Sequence, residues 1–188
     1  MAGALRAFLD ASVIYPASLR DLLMRLTMAG LFQARWSSRV HEEWIGAVLR
    51  DRSDLSFVRL DSARASMDDH AEDCLVTGYE PLIGSLTLPD PEDRHVLAAA
   101  IVAEADVVVT YNLRDFPADA LDRYKIEARH PDEFVSRLID LAPTVAVDVV
   151  RVQRASLKNP PLDMDQLLAI FERIGLAKTV AALRQLGV

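Results

Sequence analysis

Short apolar segments typical of buried strands alternate with helical segments along residues 6–141. The clearest strand is 107–110, in which every residue is β-branched, a composition that favours extended structure. Parallel strands need long crossover connections, which are usually helical and almost always right-handed. The alternation therefore predicts an α/β fold in which a mostly parallel central sheet is covered by helices on both faces.

The pattern changes after Pro143, where only helical segments follow. Strands are predicted at 6–9, 32–36, 56–60, 107–110 and 125–128. Helices are predicted at 17–29, 38–50, 62–77, 91–105 and 131–141, with a short one beginning at Pro117, and then at 144–157, 165–173 and 176–186. Proline at several starts and glycine after several ends support these bounds. We therefore predict a first domain over residues 1–142 and a helical C-terminal extension over residues 143–188.

Four acidic residues adjoin the predicted apolar runs: Asp10, Glu43, Asp93 and Asp115. An open parallel sheet gathers such positions outside the carboxyl ends of its strands. Several carboxylates in one crevice repel each other and resist ionising together, and a divalent cation relieves that repulsion. Because hard oxygen ligands favour Mg²⁺ or Mn²⁺, the spacing predicts a divalent-metal site, with Asp10, Asp93 and Asp115 as ligands.

Each acid also has an ordinary structural explanation. Asp10 could form a turn or cap a helix, although the apolar Ala-Ser-Val-Ile that follows it indicates partial burial. Glu43 and Asp93 lie early in predicted helices, where a negative charge interacts favourably with the helix dipole. Asp115 lies in a loop, where acids are common. The functional interpretation therefore depends on the four acids being considered together.

Neighbouring polar residues are predicted to support these acids. Ser12 and Thr110 carry hydroxyls that could orient a carboxylate or a water, Asn112 offers a neutral oxygen ligand, Asp90 is a helix cap with a weaker claim to the site, and Arg94 and Arg114 could contact phosphate oxygens. His95 is predicted to face another side of its helix from Asp93. That position favours a solvent-facing or structural histidine over a general base.

The segments FLDASVIYP, WSSRVHEEW, LPDPEDRHVLAAAI and VVVTYNLRDFP, in this order, resemble the PIN-domain family of nucleases. That family includes the toxins of VapBC-type toxin–antitoxin pairs. The resemblance covers residues 4–140 and implies a three-layer α/β/α sandwich, endoribonuclease activity with Mg²⁺ or Mn²⁺, and an antitoxin partner. By position, the four acids match the acidic residues of the family. The chain departs from the common pattern at Asn112, where many members have an aspartate.

Two other functions are compatible with the sequence. A catalytically weak PIN-like module could bind RNA or a protein, and a metal-dependent phosphatase could act on small phosphate esters.

The formal net charge of −7 argues against a simple basic surface for nucleic acid, although two bound divalent ions would offset part of this negative charge. The chain has no P-loop, no G-x-G-x-x-G and no G-x-S-x-G motif, so ATP hydrolysis, dinucleotide binding and serine-esterase chemistry lack support.

The remaining composition concerns location and assembly. No apolar run reaches the roughly 18 residues that a membrane span needs, and Asp10 interrupts any apolar stretch of a signal peptide. Cys74 is the one cysteine, which excludes an intrachain disulfide and a zinc cluster built on thiolates. We therefore expect a cytoplasmic protein without membrane contacts. The C-terminal helices could form a homodimer face, bind an antitoxin segment or cover the edge of the sheet.

Overall fold

The structure, a computed structural model, describes residues 5–188. Its strands are β1 (Arg6–Leu9), β2 (Gln33–Ser37), β3 (Leu75–Val76), β4 (Val107–Val109) and β5 (Glu127–Arg129). Its helices are α1 (Ala11–Ile14), α2 (Ala17–Met28), α3 (Ser38–Asp51), α4 (Phe57–His70), α5 (Glu80–Ile83), α6 (Arg94–Val102), α7 (Ala118–Leu121), α8 (Pro131–Leu141), α9 (Pro143–Ser156), α10 (Met164–Arg173) and α11 (Ala177–Gln185). Short 3₁₀ segments cover Pro91–Asp93, Leu113–Asp115 and Asp122–Tyr124.

The five strands form one sheet in the order β3-β2-β1-β4-β5, and every neighbouring pair is parallel. β1 and β4 lie at its centre, and both are buried, as their runs of large apolar residues require. The chain leaves β1 for β2 on one side and later returns to β4 on the other. A change of direction of this kind opens a crevice at the carboxyl ends of the two strands.

Helices cover the sheet and close the core. α6 contacts β1, β2 and β4, and its run of buried alanines permits close packing on the strands. α2 contacts β2 and α9, while α8 packs against α9 and α11. Phe32 and Phe134 meet edge to face, with their ring centroids 5.0 Å apart, which joins the start of β2 to α8. The predicted α/β class with a parallel sheet flanked by helices is confirmed.

The prediction for residues 56–77 was wrong in two respects. The predicted strand at 56–60 is the start of α4, because the Ser56 side chain accepts a hydrogen bond from the amide of Arg59 and caps a helix. The predicted helix at 62–77 ends at His70, and β3 follows it. β3 has only two residues and pairs with the end of β2, so its hydrogen bonds come from a distant part of the chain and leave no periodic signal. The short helices α1 and α5 were not predicted.

The one cysteine lies directly before β3. Cys74 is buried, and its thiol donates weakly to the carbonyl oxygen of Asp68 at 3.7 Å. Burial is the main reason why the pKa of this thiol is raised to about 11, and the charge of Asp68 adds to the effect. The same Asp68 carboxylate accepts hydrogen bonds from the Trp36 indole at 2.8 Å and from His41 at 3.0 Å. Cys74 therefore belongs to a buried structural network.

The C-terminal helices pack on the rest of the chain. α9 contacts α2 and α8, and α11 contacts α8. The side chain of Asp132 in α8 accepts hydrogen bonds from the amides of Lys178 and Thr179 at the start of α11, at 2.9 and 2.8 Å. No helix within residues 5–188 is long and apolar enough to cross a membrane. The division into a first domain over residues 1–142 and an extension over residues 143–188 stays a prediction. The first four residues of that predicted domain lie outside the described part of the chain.

Candidate active site

Asp10 lies at the point where β1 ends and the sheet order changes direction. Its amide donates to the carbonyl oxygen of Val109, the last residue of β4, at 3.1 Å. This bond continues the parallel pairing of the two strands by one residue. The Asp10 side chain is therefore fixed in the crevice between the carboxyl ends of β1 and β4, and it is only 7% exposed.

Two hydroxyls hold one oxygen of this carboxylate. Ser12 and Thr110 both donate to Oδ2 of Asp10, at 2.6 and 2.8 Å. Each hydroxyl in turn accepts a hydrogen bond from a backbone amide. The N–H of Tyr111 donates to the Ser12 hydroxyl at 3.2 Å, and the N–H of Asn112 donates to the Thr110 hydroxyl at 3.0 Å. These two chains of hydrogen bonds orient the carboxylate, and they leave Oδ1 without a described protein donor.

Asp93 contributes a second carboxylate to the same edge. It ends the 3₁₀ segment that precedes α6, and its side chain is half-buried. Its pKa is raised to about 6, first by burial and then by the negative charges of Asp10, Asp115 and Asp90. The charges of Asp10, Asp90 and Asp115 therefore act on Asp93, although Asp10 and Asp115 lie 105 positions apart in the sequence.

Glu43 has a different environment from the aspartates. Its Oε1 lies 2.8 Å from Nε2 of His95 and 3.3 Å from Nε of Arg39. Arg39 also contacts Glu92 at 3.0 Å, so α3 is tied to the segment that carries Asp93. His95 is 1% exposed, and its Nδ1 has no hydrogen-bond partner among residues 5–188. Nε2 of His95 and Oε1 of Glu43 are therefore in close polar contact, which joins α6 to α3.

The remaining predicted residues lie in the loop that follows β4 and in the segment that leads into α6. Asp115 is half-buried, whereas Asn112 and Arg114 are exposed. The Asp90 side chain accepts from the amide of Glu92 at 2.9 Å, as predicted for a helix cap. Arg94 is partly buried, and its Nε finds no partner within the described residues.

The donor chemistry of this edge fits a hard divalent cation, because its ligands would be carboxylate oxygens. Burial and the negative charges of three other aspartates raise the pKa of Asp93. A positive charge at this edge, either a proton or a metal ion, would therefore offset the repulsion among the carboxylates. Among residues 5–188, however, no three acidic, histidine or cysteine side chains converge closely enough to enclose an ion. The side chains would therefore have to close around a cation when it binds.

Three neighbours of the acids were missed or misjudged from the sequence. His95 was predicted to be solvent-facing or structural; it does not face solvent but is buried against Glu43. Arg39 precedes Glu43 by four residues, a spacing at which helical ion pairs form, so its contact could have been predicted. Tyr111 connects the site to the C-terminal helices through its hydroxyl, which donates to the carbonyl of Ile174 at 2.7 Å. No sequence signal identifies that contact.

The pKa of Asp93 gives a pH prediction for the metal-free protein. Because the folded state holds this proton more tightly than the unfolded chain, stability from this group is present below pH 3.8 and is lost as pH rises through about 6. The Asp93→Asn variant has no ionisable group at this position, so it does not lose stability there as the pH rises. After allowance for solvent screening, we expect it to be about 1 kcal/mol more stable than the wild type at pH 7.5 with a chelator.

Urea denaturation at pH 4 and at pH 7.5 measures this difference. Asp148→Asn is a matched control, because Asp148 is exposed on α9, where its contact with Arg151 is long at 3.8 Å. Its stability should follow the wild type at both pH values. A variant at position 93 that is less stable than the wild type at pH 7.5 would contradict the described repulsion.

Comparisons with known proteins match two parts of the chain. A family described as PIN domain matches residues 6–114, and one described as VapC50 C-terminal domain matches residues 131–185, which include α8 to α11. The first match includes Asp10, Glu43, Asp93 and Asn112 and ends one residue before Asp115.

One curated relative is 40% identical over 98 residues, the protein named "Putative ribonuclease VapC50" from Mycobacterium tuberculosis (strain ATCC 25618 / H37Rv). The matched segment covers 52% of this chain and 57% of the relative, so the chain spans little more than half of the relative's length. No solved structure matches the chain at comparable significance.

Proposed function

Because this chain belongs to the PIN-domain family, we propose that it is a divalent-metal-dependent endoribonuclease, the toxin of a toxin–antitoxin pair. The observation that carries the proposal is the position of Asp10 in the crevice between β1 and β4. There, two hydroxyls orient its carboxylate, and its charge acts on Asp93. The relative named as a ribonuclease supports the choice of RNA as the substrate.

Asp10, Asp93 and Asp115 would hold Mg²⁺ or Mn²⁺. A bound divalent ion would lower the pKa of an attacking water and offset negative charge on the phosphate. Ser12 and Thr110 occupy Oδ2 of Asp10, so the other oxygen is the one available to a ligand. These contacts fix the direction of the carboxylate before a ligand arrives, which lowers the cost of binding.

Glu43 is assigned a different role, because His95 and Arg39 already contact its Oε1. The buried imidazole contacts this carboxylate at the start of α6, two residues after Asp93. From there, Glu43 could accept a proton or orient a water. Asn112 would present its amide to the substrate. Arg114 is exposed, so it could donate to phosphate oxygens. The Nε of Arg94 is buried without a partner among the described residues, so Arg94 would have to move to meet a phosphate through that atom.

The test is cleavage of a labelled single-stranded RNA by the purified protein. We expect fragments with Mn²⁺ or Mg²⁺ and none when EDTA is in excess, with activity restored by adding the ion again. Asp106→Asn serves as a control, because Asp106 precedes β4 at the opposite edge of the sheet and accepts the amide of Arg6 at 2.7 Å. Cleavage that survives the chelator would contradict metal dependence.

A second candidate function is a catalytically weak module that binds RNA or a protein. Two observations favour it: Asn112 replaces an acid that many family members have, and the described acids do not converge into a ready-made ligand set. Calorimetric titration with Mn²⁺ separates the two candidates. Absence of millimolar or tighter Mn²⁺ binding would favour the module.

A metal-dependent phosphatase is the other alternative. In a separate assay, turnover of a chromogenic phosphomonoester without RNA cleavage would favour it.

The proposal extends to location and partners. Family resemblance supports an antitoxin protein as the partner of this chain and a cytoplasmic location, and the C-terminal helices offer one surface for a homodimer or for the antitoxin. Light scattering of the purified chain, alone and with the product of a neighbouring reading frame, would test both forms of assembly.

A further inference from the structure

Tyr111 makes hydrogen bonds on two sides, one toward Asp10 at the edge of the sheet and one toward the C-terminal helices. On one side, its amide donates to Ser12, which in turn donates to Asp10. On the other, its hydroxyl donates to the carbonyl of Ile174 at 2.7 Å. Burial and the nearby charge of Asp132 raise the pKa of this hydroxyl to about 12. The hydroxyl therefore stays protonated, and able to donate, throughout the neutral range.

The turn that receives this hydroxyl is the one that ends α10. α10 ends with bonds from Gly175 N–H to Glu172 O and from Leu176 N–H to Phe171 O, the pattern of a Schellman motif. Gly175 has φ +88°, and a Cβ at this position would lie 3.7 Å from Cε1 of Tyr111. The positive φ therefore explains the glycine, since an added Cβ would meet the ring only at an ordinary contact distance. The described contact between this turn and Tyr111 is the hydrogen bond from the tyrosine hydroxyl to the carbonyl of Ile174, at the end of α10.

The ring of Tyr111 is fixed by a second neighbour. It meets His130 edge to face, with the ring centroids 4.9 Å apart. His130 also caps α8 by accepting the amide of Asp132 at 3.2 Å. The carboxylate of Asp132 in turn holds the start of α11. Tyr111 therefore contacts the cap of α8 and the end of α10 directly, and it is connected to α11 only through His130 and Asp132.

We propose that Tyr111 is a positioning residue through which the C-terminal helices hold the loop of residues 111–116 in its active conformation. This inference rests on the proposed nuclease function, since that loop carries Asn112 and Asp115. The amides of Tyr111 and Asn112 tie the start of the loop to Ser12 and Thr110. Further along, the described backbone bonds stay within the loop, from Asp115 N–H to Asn112 O and from Phe116 N–H to Leu113 O. Phe116 at the end of the loop is buried, whereas the Asp115 carboxylate has no hydrogen-bond partner among the described residues. Its position therefore depends on the path of the loop, to which the hydroxyl of Tyr111 would contribute.

The test compares Tyr111→Phe with Tyr15→Phe. Both substitutions remove a tyrosine hydroxyl that donates at 2.7 Å, but Tyr15 donates to Asp51 at the end of α3. For Tyr111→Phe, we expect kcat for RNA cleavage to fall about tenfold and KM to stay within about twofold, because misplaced groups cost rate at the reacting centre. Amide hydrogen exchange in residues 112–116 should become at least about tenfold faster. Tyr15→Phe should change neither quantity.

Unchanged exchange in residues 112–116 of Tyr111→Phe would overturn the proposal and leave Tyr111 as an anchor for the C-terminal helices alone. Faster exchange with an unchanged kcat would overturn it as well, because the loop position would then not matter for cleavage. If the wild type does not cleave RNA, the proposed function fails, whereas the exchange comparison still decides whether Tyr111 fixes the loop.

Discussion

Replacing Asp10 with asparagine should lower RNA cleavage by about a thousandfold, or about 4 kcal/mol of transition-state stabilisation, and leave the fold intact. Asparagine has the same size and keeps an oxygen that can accept from Ser12 and Thr110. It removes the negative charge in the crevice, which a divalent cation would need as its strongest ligand. The measurement is kcat/KM with a labelled RNA, together with circular dichroism and thermal unfolding.

Asp106→Asn is the matched control for this variant, because it removes an aspartate charge from the other edge of the same sheet. It should cleave RNA within about twofold of the wild type, since its side chain lies far from the developing charge. Full activity of Asp10→Asn would refute the assignment of this edge as the active site. Loss of activity together with loss of folded structure would leave Asp10 in a structural role only.

Replacing Asp132 with alanine should lower the free energy of unfolding by about 3 kcal/mol, because two charge-assisted hydrogen bonds are lost and two amides lose their partner. Asp132 is only 8% exposed, and its two oxygens accept the amides of Lys178 and Thr179 separately. These amides begin α11, where a negative charge also interacts favourably with the helix dipole. Urea denaturation measures the change.

Asp148→Ala provides the comparison, since Asp148 is an exposed aspartate on the neighbouring α9. Its stability should stay within about 0.5 kcal/mol of the wild type. If Asp132→Ala unfolds at the same urea concentration as Asp148→Ala, the described bonds contribute nothing net. A lowered slope of the transition for Asp132→Ala would indicate that α11 detaches before the rest of the chain unfolds.

Elements with local signals were predicted well from the sequence. α8 was predicted with its observed bounds, because Pro131 begins it and its apolar residues repeat with helical spacing. β4 was predicted from its β-branched run. The segment 56–77 failed because Phe57 and Val58 favour a strand locally, whereas the cap at Ser56 and tertiary contacts favour a helix. β3 forms by pairing with β2, and a two-residue segment carries no sequence pattern that would predict this pairing.

In the candidate site, too, some contacts could be predicted from the sequence and others could not. Topology alone places Asp10 and Thr110 side by side, because each directly follows one of two adjacent parallel strands. The hydroxyl contacts to Asp10 were foreseen as a possibility for Ser12 and Thr110. The contact between His95 and Glu43 was not, because it joins α6 to α3 and depends on how the two helices pack. Whether side chains converge on an ion is likewise a matter of three-dimensional distances.

The burial of Cys74 gives the chain a built-in reporter of local opening. Thiol reagents attack the thiolate, and burial together with a pKa raised to about 11 keeps that form scarce in the folded protein. Cys74 is the one cysteine in the sequence, so every labelled molecule has reacted at the outer β3 edge of the sheet. Labelling rates therefore measure how often this edge separates from β2, with no engineered probe and with every other side chain unchanged.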